Sequence, residues 1–224
     1  MVKSVIIVAG GKGVRMGGDI PKQFLLLGGS PLLMHTINRF SDAGFDNIVL
    51  VLPSPELQKY WKELCDHYSY GVEHIVAEGG ETRFHSVQNG LQFVDESGYI
   101  AVHDGVRPFV SYDTIERVVD EVLKSDAVIP VVEMIESLRE ISNEESRSCD
   151  RTSFCIVQTP QIFKGEVLKK AYQQTFRSTF TDDATVVEAA GYEITLVKGN
   201  MENIKITTPF DFVVAEALLK EKLF

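Results

Sequence analysis

The residues best suited to chemistry stand in one run, AGGKGVRMGGDIPKQF, from Ala9 to Phe24, directly after the first strand-like stretch. Glycines at 10, 11, 13, 17 and 18 lack a Cβ, so backbone N–H groups can close around an anion, while Lys12, Arg15 and Lys22 add positive charge. Two familiar phosphate loops are excluded by inspection. Counted from Gly11 and Gly13, the sixth position of GxGxxG is Met16, and the Walker A spacing of Gly13 and Gly18 is followed by Asp19 instead of lysine. A single Lys or Arg here could equally be a solvated surface cation. The whole cluster needs a reason, and an anionic ligand supplies one.

Three further constellations carry usable groups. In EGGETRFHSVQNGL (Glu78 to Leu91), paired glycines follow a strand-like run, and Arg83 and Ser86 open a helix whose exposed amides suit a nucleotide; the alternative is a tight turn with an ordinary cap. In AVHDGVRPFVS (Ala101 to Ser111), Asp104 ends a strand and Arg107 follows three residues later, an acid for Mg²⁺ or a hydroxyl and a guanidinium for phosphate. The alternative is an internal pair that shapes the loop. Toward the C-terminus, TDDATVVE begins at Thr181, and NIKITTPFD (Asn203 to Asp211) places Lys205 inside a strand-like run before a capped helix. A strand-edge lysine that discourages aggregation is the competing reading there. His35, His67, His74, His85 and His103 lack metal-ligand spacing and no GxSxG occurs, so covalent catalysis is not indicated.

The Gly-rich loop with Arg15, followed by Pro21-Lys22-Gln23, resembles the 2-C-methyl-D-erythritol 4-phosphate cytidylyltransferase family. The likeness runs from Val5 to Leu219 through at least five motifs in order. It implies that CTP is held by the backbone of Ala9, Gly10, Gly11 and Gly13, with Arg15 and Lys22 on its phosphates and Gly80, Arg83 and Ser86 near cytosine and ribose. It further implies that Asp104, Arg107, Thr159, Thr181 and Lys205 line the acceptor site, with Asp182 beside Thr181. Arg151 matches an arginine that the family's arm carries to the other subunit's acceptor phosphate, and Ser137, in IESLRE, stands where relatives have a threonine. The implied reaction joins CMP from CTP to methylerythritol phosphate, with Mg²⁺ carried mainly by the triphosphate and Asp104 the acid nearest to it. The chain reads DGVRP where that family usually has DAARP, which approaches ribitol 5-phosphate cytidylyltransferases and keeps a pentitol phosphate open as the acceptor. A nonenzymatic nucleotide-binding regulator is a third reading, disfavoured by so many charges around the reacting phosphates.

These groups must be positioned by a sheet. Val- and Ile-rich runs at Ser4 to Ala9, Ile48 to Leu52, Glu73 to Ala77, Ile100 to His103 and Ala127 to Val132 alternate with helical periodicity at Leu32 to Phe40, Glu56 to His67, Phe84 to Val94 and Thr114 to Lys124. The alternation predicts an α/β, doubly wound, mostly parallel sheet, the Rossmann-like fold of nucleotidyltransferases, in a single domain over residues 1–224. Ser30-Pro31, Ser54-Pro55 and Thr208-Pro209 each predict a capped helix start. The last helix, from Pro209 to about Leu223, is expected to lay Phe210, Val213, Val214, Ala217 and Leu218 on the sheet. The stretch at about 133–155 breaks the pattern and predicts a projecting hairpin, Leu138 to Ile141 against Ser153 to Val157, with its turn at Asn143 to Ser146. An isolated hairpin is marginal in water, so it implies a dimerisation arm packed on a second copy.

Composition bounds the rest. With 224 residues and a net charge of -10, the chain can bury a large core but is unsuited to broad nucleic-acid binding. Three cysteines, Cys65, Cys149 and Cys155, without CxxC predict reduced thiols. No apolar run of about 20 residues is present to span a membrane. The N-terminal residues run into a strand without signal-peptide regions, which points to the cytoplasm.

Overall fold

The first strand, β1 (Lys3–Val8), divides its apolar side chains between two cores: Val5 and Ile7 enter one and Ile6 the other. This period of two is what a strand buried on both faces requires. The structure, a computed structural model, describes residues 2–10, 20–142 and 145–223. After β1 come β2 (Leu26–Leu27), β3 (Ser30–Pro31), α1 (Leu32–Asp42), β4 (Asn47–Leu52), α2 (Pro55–His67), β5 (Ile75–Glu78) and α3 (Arg83–Gly90). Then follow β6 (Tyr99–Asp104), α4 (Tyr112–Val122), β7 (Ala127–Glu133), β8 (Leu138–Ser142) and β9 (Glu145–Cys149). The chain continues through β10 (Cys155–Val157), β11 (Gln161–Lys164), α5 (Gly165–Ala171), α6 (Asp183–Ala189), β12 (Thr195–Lys198) and α7 (Pro209–Glu221).

The main sheet runs β10-β7-β11-β6-β1-β4-β5, with β12 also paired to β7. β6, β1, β4 and β5 are mutually parallel, and β11 enters antiparallel between β6 and β7. One core joins Leu50 and Leu52 of β4 to Ile37 and Phe40 of α1, Trp61 of α2 and Val118 of α4. The other joins Val49 and Val51 to Val87 of α3, Leu168 of α5 and Val187 of α6. Each such buried aliphatic or aromatic side chain contributes roughly 1.5–3 kcal/mol relative to exposure. The expected Rossmann-like nucleotidyltransferase architecture is thus present.

Four expectations change. Ser30 does not cap α1: it is paired to Leu27 in the small β2–β3 ladder, and the Leu32 N–H donates to Leu25 O at 2.9 Å instead. The hairpin forms within the predicted span but between β8 and β9, from Leu138 opposite Cys149 to Ser142 opposite Glu145. β10 leaves it to place Ile156 opposite Val132 of β7. The arm's turn at Asn143 and Glu144 lies outside the described residues. α7 buries Ala215 with Phe212, Leu218 and Leu219 against Leu27, Leu32, Val106 and Ile206, while Phe210 and Val213 remain 74% and 63% exposed. The apolar residues of α7 surround the helix, so their spacing alone did not choose the buried face. Lys205 lies in an irregular extended link, without strand pairing.

Candidate active site

Strand order reverses between β1 and β6, because the chain first winds outward through β4 and β5 and then returns to β6 beside β1. Ligands in open α/β sheets bind at the carboxyl ends of strands flanking such a switch. Val8 pairs with Asp104 at this end, and the Gly105 N–H donates to Val8 O at 2.9 Å. The start of the Gly-rich loop and the Asp104–Arg107 loop are therefore adjacent.

Gln23 closes the Gly-rich loop at its far end. It is 1% exposed, and its Nε2–H donates to Ala9 O at 3.0 Å, clasping residues on either side of 10–22. Lys22 is half-buried in the turn Lys22–Phe24 next to it. Arg15, Lys12, Gly11 and Gly13 lie outside the described residues.

Three cations converge on Asp104. Lys205 Nζ lies 3.0 Å from Oδ2, Arg107 Nε 3.2 Å from Oδ2 and Arg83 Nε 3.8 Å from Oδ1. Burial pushes the Asp104 carboxyl up, but Arg83, then Lys205 and Arg107, outweigh it and hold the group well below the usual carboxylate range. Arg83 also donates through Nη2 to Asp183 at 2.6 Å, and Asp183 in turn accepts from the Tyr172 hydroxyl at 2.6 Å. Burial opposes the Arg83 charge, yet Asp183 and Asp104 hold its pKa above the ordinary guanidinium value. Burial first, and Asp183 second, push the Tyr172 phenol well up, so it remains a neutral donor. Three cations against two carboxylates leave one excess positive charge in an otherwise acidic protein. A phosphate suits that excess.

The opening of α3 forms the neighbouring wall. Thr82 caps the helix, and the Gly80 N–H donates to Ser86 Oγ at 3.1 Å, while that hydroxyl donates to Thr82 O at 3.0 Å. A Cβ on Gly80 would stand 2.4 Å from His85 Cβ, so only glycine allows this approach. A Cβ at Gly10 would lie 4.0 Å from Ser86 Oγ, which puts this wall beside the first loop.

Of the residues singled out from sequence, the structure brings Asp104, Arg107, Lys205 and Arg83 into one cluster, with Ala9, Gly10, Gly80 and Ser86 alongside. Thr159 is 6% exposed, and its hydroxyl accepts from the Asp104 N–H at 3.2 Å. Thr181 is exposed, just before Asp182, which caps α6. Ser137 and Arg151 are exposed at the base of the arm, where Arg151 donates to Ile135 O. No ion pair among the described residues joins Arg151 to the Asp104 cluster. Sequence reasoning passed over Gln23, His103, Asp183, Tyr172 and Asn203. All but Tyr172 stand inside the quoted motifs, but nothing in residue type told a buried clasp from an exposed polar group.

A divalent cation fits poorly beside Asp104, whose carboxylate is already shared among three cations. Among the described residues no group of three or more His, Cys, Asp or Glu converges as a metal site.

A glycine-rich loop and a cation cluster at the switch point of this sheet define a nucleotidyltransferase of the α/β class. Residues 3–221 match the family model of 2-C-methyl-D-erythritol 4-phosphate cytidylyltransferase, and the chain belongs to that family. A protein of that name from Bacteroides thetaiotaomicron is 55% identical over 221 residues, 98% of this chain and 100% of the relative. Among solved structures, the 2-C-methyl-D-erythritol 4-phosphate cytidylyltransferase of Thermus thermophilus is 33% identical with a TM-score of 0.79, covering 98% of this chain and 100% of that one. The Francisella tularensis protein of the same name is 31% identical with a TM-score of 0.81, covering 97% and 99%.

Proposed function

We propose that the chain transfers the cytidylyl group of CTP to the phosphate of 2-C-methyl-D-erythritol 4-phosphate, releasing pyrophosphate, in the non-mevalonate route to isoprenoid precursors. The observation that carries this reading is the convergence of Arg83, Arg107 and Lys205 on Asp104, beside the first loop. The loop over residues 10–22 takes the triphosphate, and Gly80 and Ser86 face the nucleoside. Lys205 and Arg107 take the acceptor phosphate. An ionised oxygen of that phosphate attacks the α-phosphorus of CTP in line; the new P–O bond forms as the bond to the β-phosphate bridging oxygen breaks, and pyrophosphate leaves with the electron pair. The nucleophile is already an anion at neutral pH, so no strong general base is required. Arg15 and Lys22 are the groups assigned to the charge growing on the five-coordinate phosphorus.

Mg²⁺ bound to the triphosphate would supply charge neutralisation there, and the cationic surroundings of Asp104 do not suit a protein-held ion. The arm joins two copies: Ile135, Ile141 and Phe154 are 62%, 79% and 50% exposed, and a partner would cover them. Arg151 and Ser137 then serve the partner's acceptor site. Free Cys65, Cys149 and Cys155 suit a reducing cytoplasm.

The test is pyrophosphate release from CTP and Mg²⁺ with methylerythritol phosphate and ribitol 5-phosphate in parallel. Preference for the first supports the assignment. Preference for the second, which DGVRP keeps open, keeps the chemistry and changes the acceptor; release with neither overturns the reading.

A further inference from the structure

Beneath the Asp104 cluster, four residues from three chain segments donate hydrogen bonds head to tail in a closed ring. Asn203 Nδ2–H donates to Thr159 O at 2.8 Å, and the Thr159 hydroxyl meets His103 Nδ1 at 3.0 Å. His103 Nε2 meets Arg107 O at 3.0 Å, and Arg107 Nη1–H donates to Asn203 O at 2.7 Å. His103 and Asn203 are fully buried.

The directions of the middle bonds follow from the partners. Thr159 Oγ1 already accepts from the Asp104 N–H, so its own proton is free for Nδ1. Arg107 O can only accept, so Nε2 carries the imidazole proton. The other tautomer would set a ring lone pair against a carbonyl oxygen. Phe40 packs edge-on against the imidazole with centroids 4.8 Å apart, and burial lowers the His103 pKa to about 4, both consistent with a neutral ring.

The ring's members are neighbours of the charged groups above. His103 precedes Asp104, Arg107 belongs to the cluster itself, and Asn203 lies two residues before Lys205. A separate bond, Ile206 N–H to Val106 O at 3.0 Å, ties the same two segments. We propose that His103 is a positioning residue for the acceptor phosphate: through Arg107 O on one side and Thr159 and Asn203 on the other, it sets Arg107 and Lys205 in one register. It touches no substrate. This rests on the proposed reaction, since it assigns Arg107 and Lys205 to the acceptor.

The pattern of loss distinguishes positioning from general support of the fold. His103→Phe keeps a planar aromatic ring, somewhat larger than imidazole, and removes both hydrogen bonds, so kcat/KM for the acceptor should fall about 100-fold, because misplacement of about 1 Å costs that much, while KM for CTP changes less than about threefold. His103→Gln retains an N–H near the Nε2 position and should recover most of the loss. His103→Asn, which mimics only Nδ1, should recover less. Acceptor kcat/KM within about threefold of wild type in folded His103→Phe, or no difference between the Gln and Asn variants, overturns the proposal. If the Phe variant does not fold, the Gln–Asn comparison and the imidazole ¹⁵N spectrum of the unmodified protein decide. Protonated Nε2 with bare Nδ1 at pH 7 supports the ring, and the reverse tautomer or a cation refutes it. The spectrum needs no substrate, so an inactive wild type would sink the functional reading while leaving the ring to be judged separately.

Discussion

Lys205 Nζ stands 3.0 Å from Asp104 Oδ2, although Asp104 closes the central strand β6 and Lys205 lies in the irregular link before α7. Their exposures differ: the lysine side chain is 45% accessible and the aspartate 10%. The carboxylate is also held by Arg107 and Arg83, and the lysine is the most exposed of its three cations. Asp104 is thus the common counter-ion of all three cations.

Replacing Asp104 with Asn should therefore destabilise the fold. Removing one partner of a buried ion pair leaves uncompensated charge, at a cost of about 3 kcal/mol or more. Urea unfolding of D104N measures this, and a loss below about 1 kcal/mol would show that Asp183 and solvent already balance the cluster.

Lys205→Ala should separate function from stability. The lysine is half-exposed, so its pair with Asp104 contributes at most about 1 kcal/mol. Loss of a charge proposed to contact the acceptor phosphate should lower kcat/KM for the acceptor about 100-fold or more. Steady-state kinetics with each substrate varied would show the deficit on the acceptor side; an equal rise in KM for CTP would move Lys205 to the nucleotide subsite.

Stability should fall between pH 6.5 and 4 through His103. The buried imidazole has its pKa lowered to about 4, below the unfolded value near 6.5, so the unfolded chain binds the extra proton first as pH drops. The contribution is complete above pH 6.5 and lost on the way to pH 4, on the order of 3 kcal/mol. Asp104 and Arg107 face the ring and pull in opposite directions, Arg83 adds to the lowering, and Asp104 is itself held below the usual carboxylate range, so its titration lies under this window. Thermal melts across the range should slope for wild type and flatten for His103→Gln; matching slopes would assign the pH dependence elsewhere.

Ile141→Glu should weaken a dimer built on the arms. Ile141 is 79% exposed in a single chain, and its strand-mate Leu138 is half-buried on the same hairpin. Burying a glutamate in the proposed contact should raise the dimer dissociation constant at least about tenfold. Sedimentation velocity against concentration measures it. An unchanged constant would place the dimer contact off the arm, whereas a monomeric mutant with lost activity would fit Arg151 serving the partner's site.

The sequence by itself determined the architecture and much of the chemistry. Strands such as β4 buried on both faces write a continuous Val-Leu-Ile run, and most of them are followed by helical periodicity, so the doubly wound sheet could be read locally. The cation-rich glycine run after β1, and Asp104 with Arg107 at the end of β6, stood out locally as candidates because residue type and spacing can be read within a few positions; their roles came from the family resemblance. Only tertiary structure decided which charges meet. Lys205 and Arg83 reach Asp104 because strand order brings three remote segments to one sheet end, and no local pattern encodes that distance. The same holds for His103, which looked like one more histidine until burial, Thr159 and Arg107 O gave each nitrogen a partner. It also holds for α7, whose apolar residues surround the helix, so that packing against Leu27 and Val106 alone chose Ala215 and Phe212 over Phe210 and Val213.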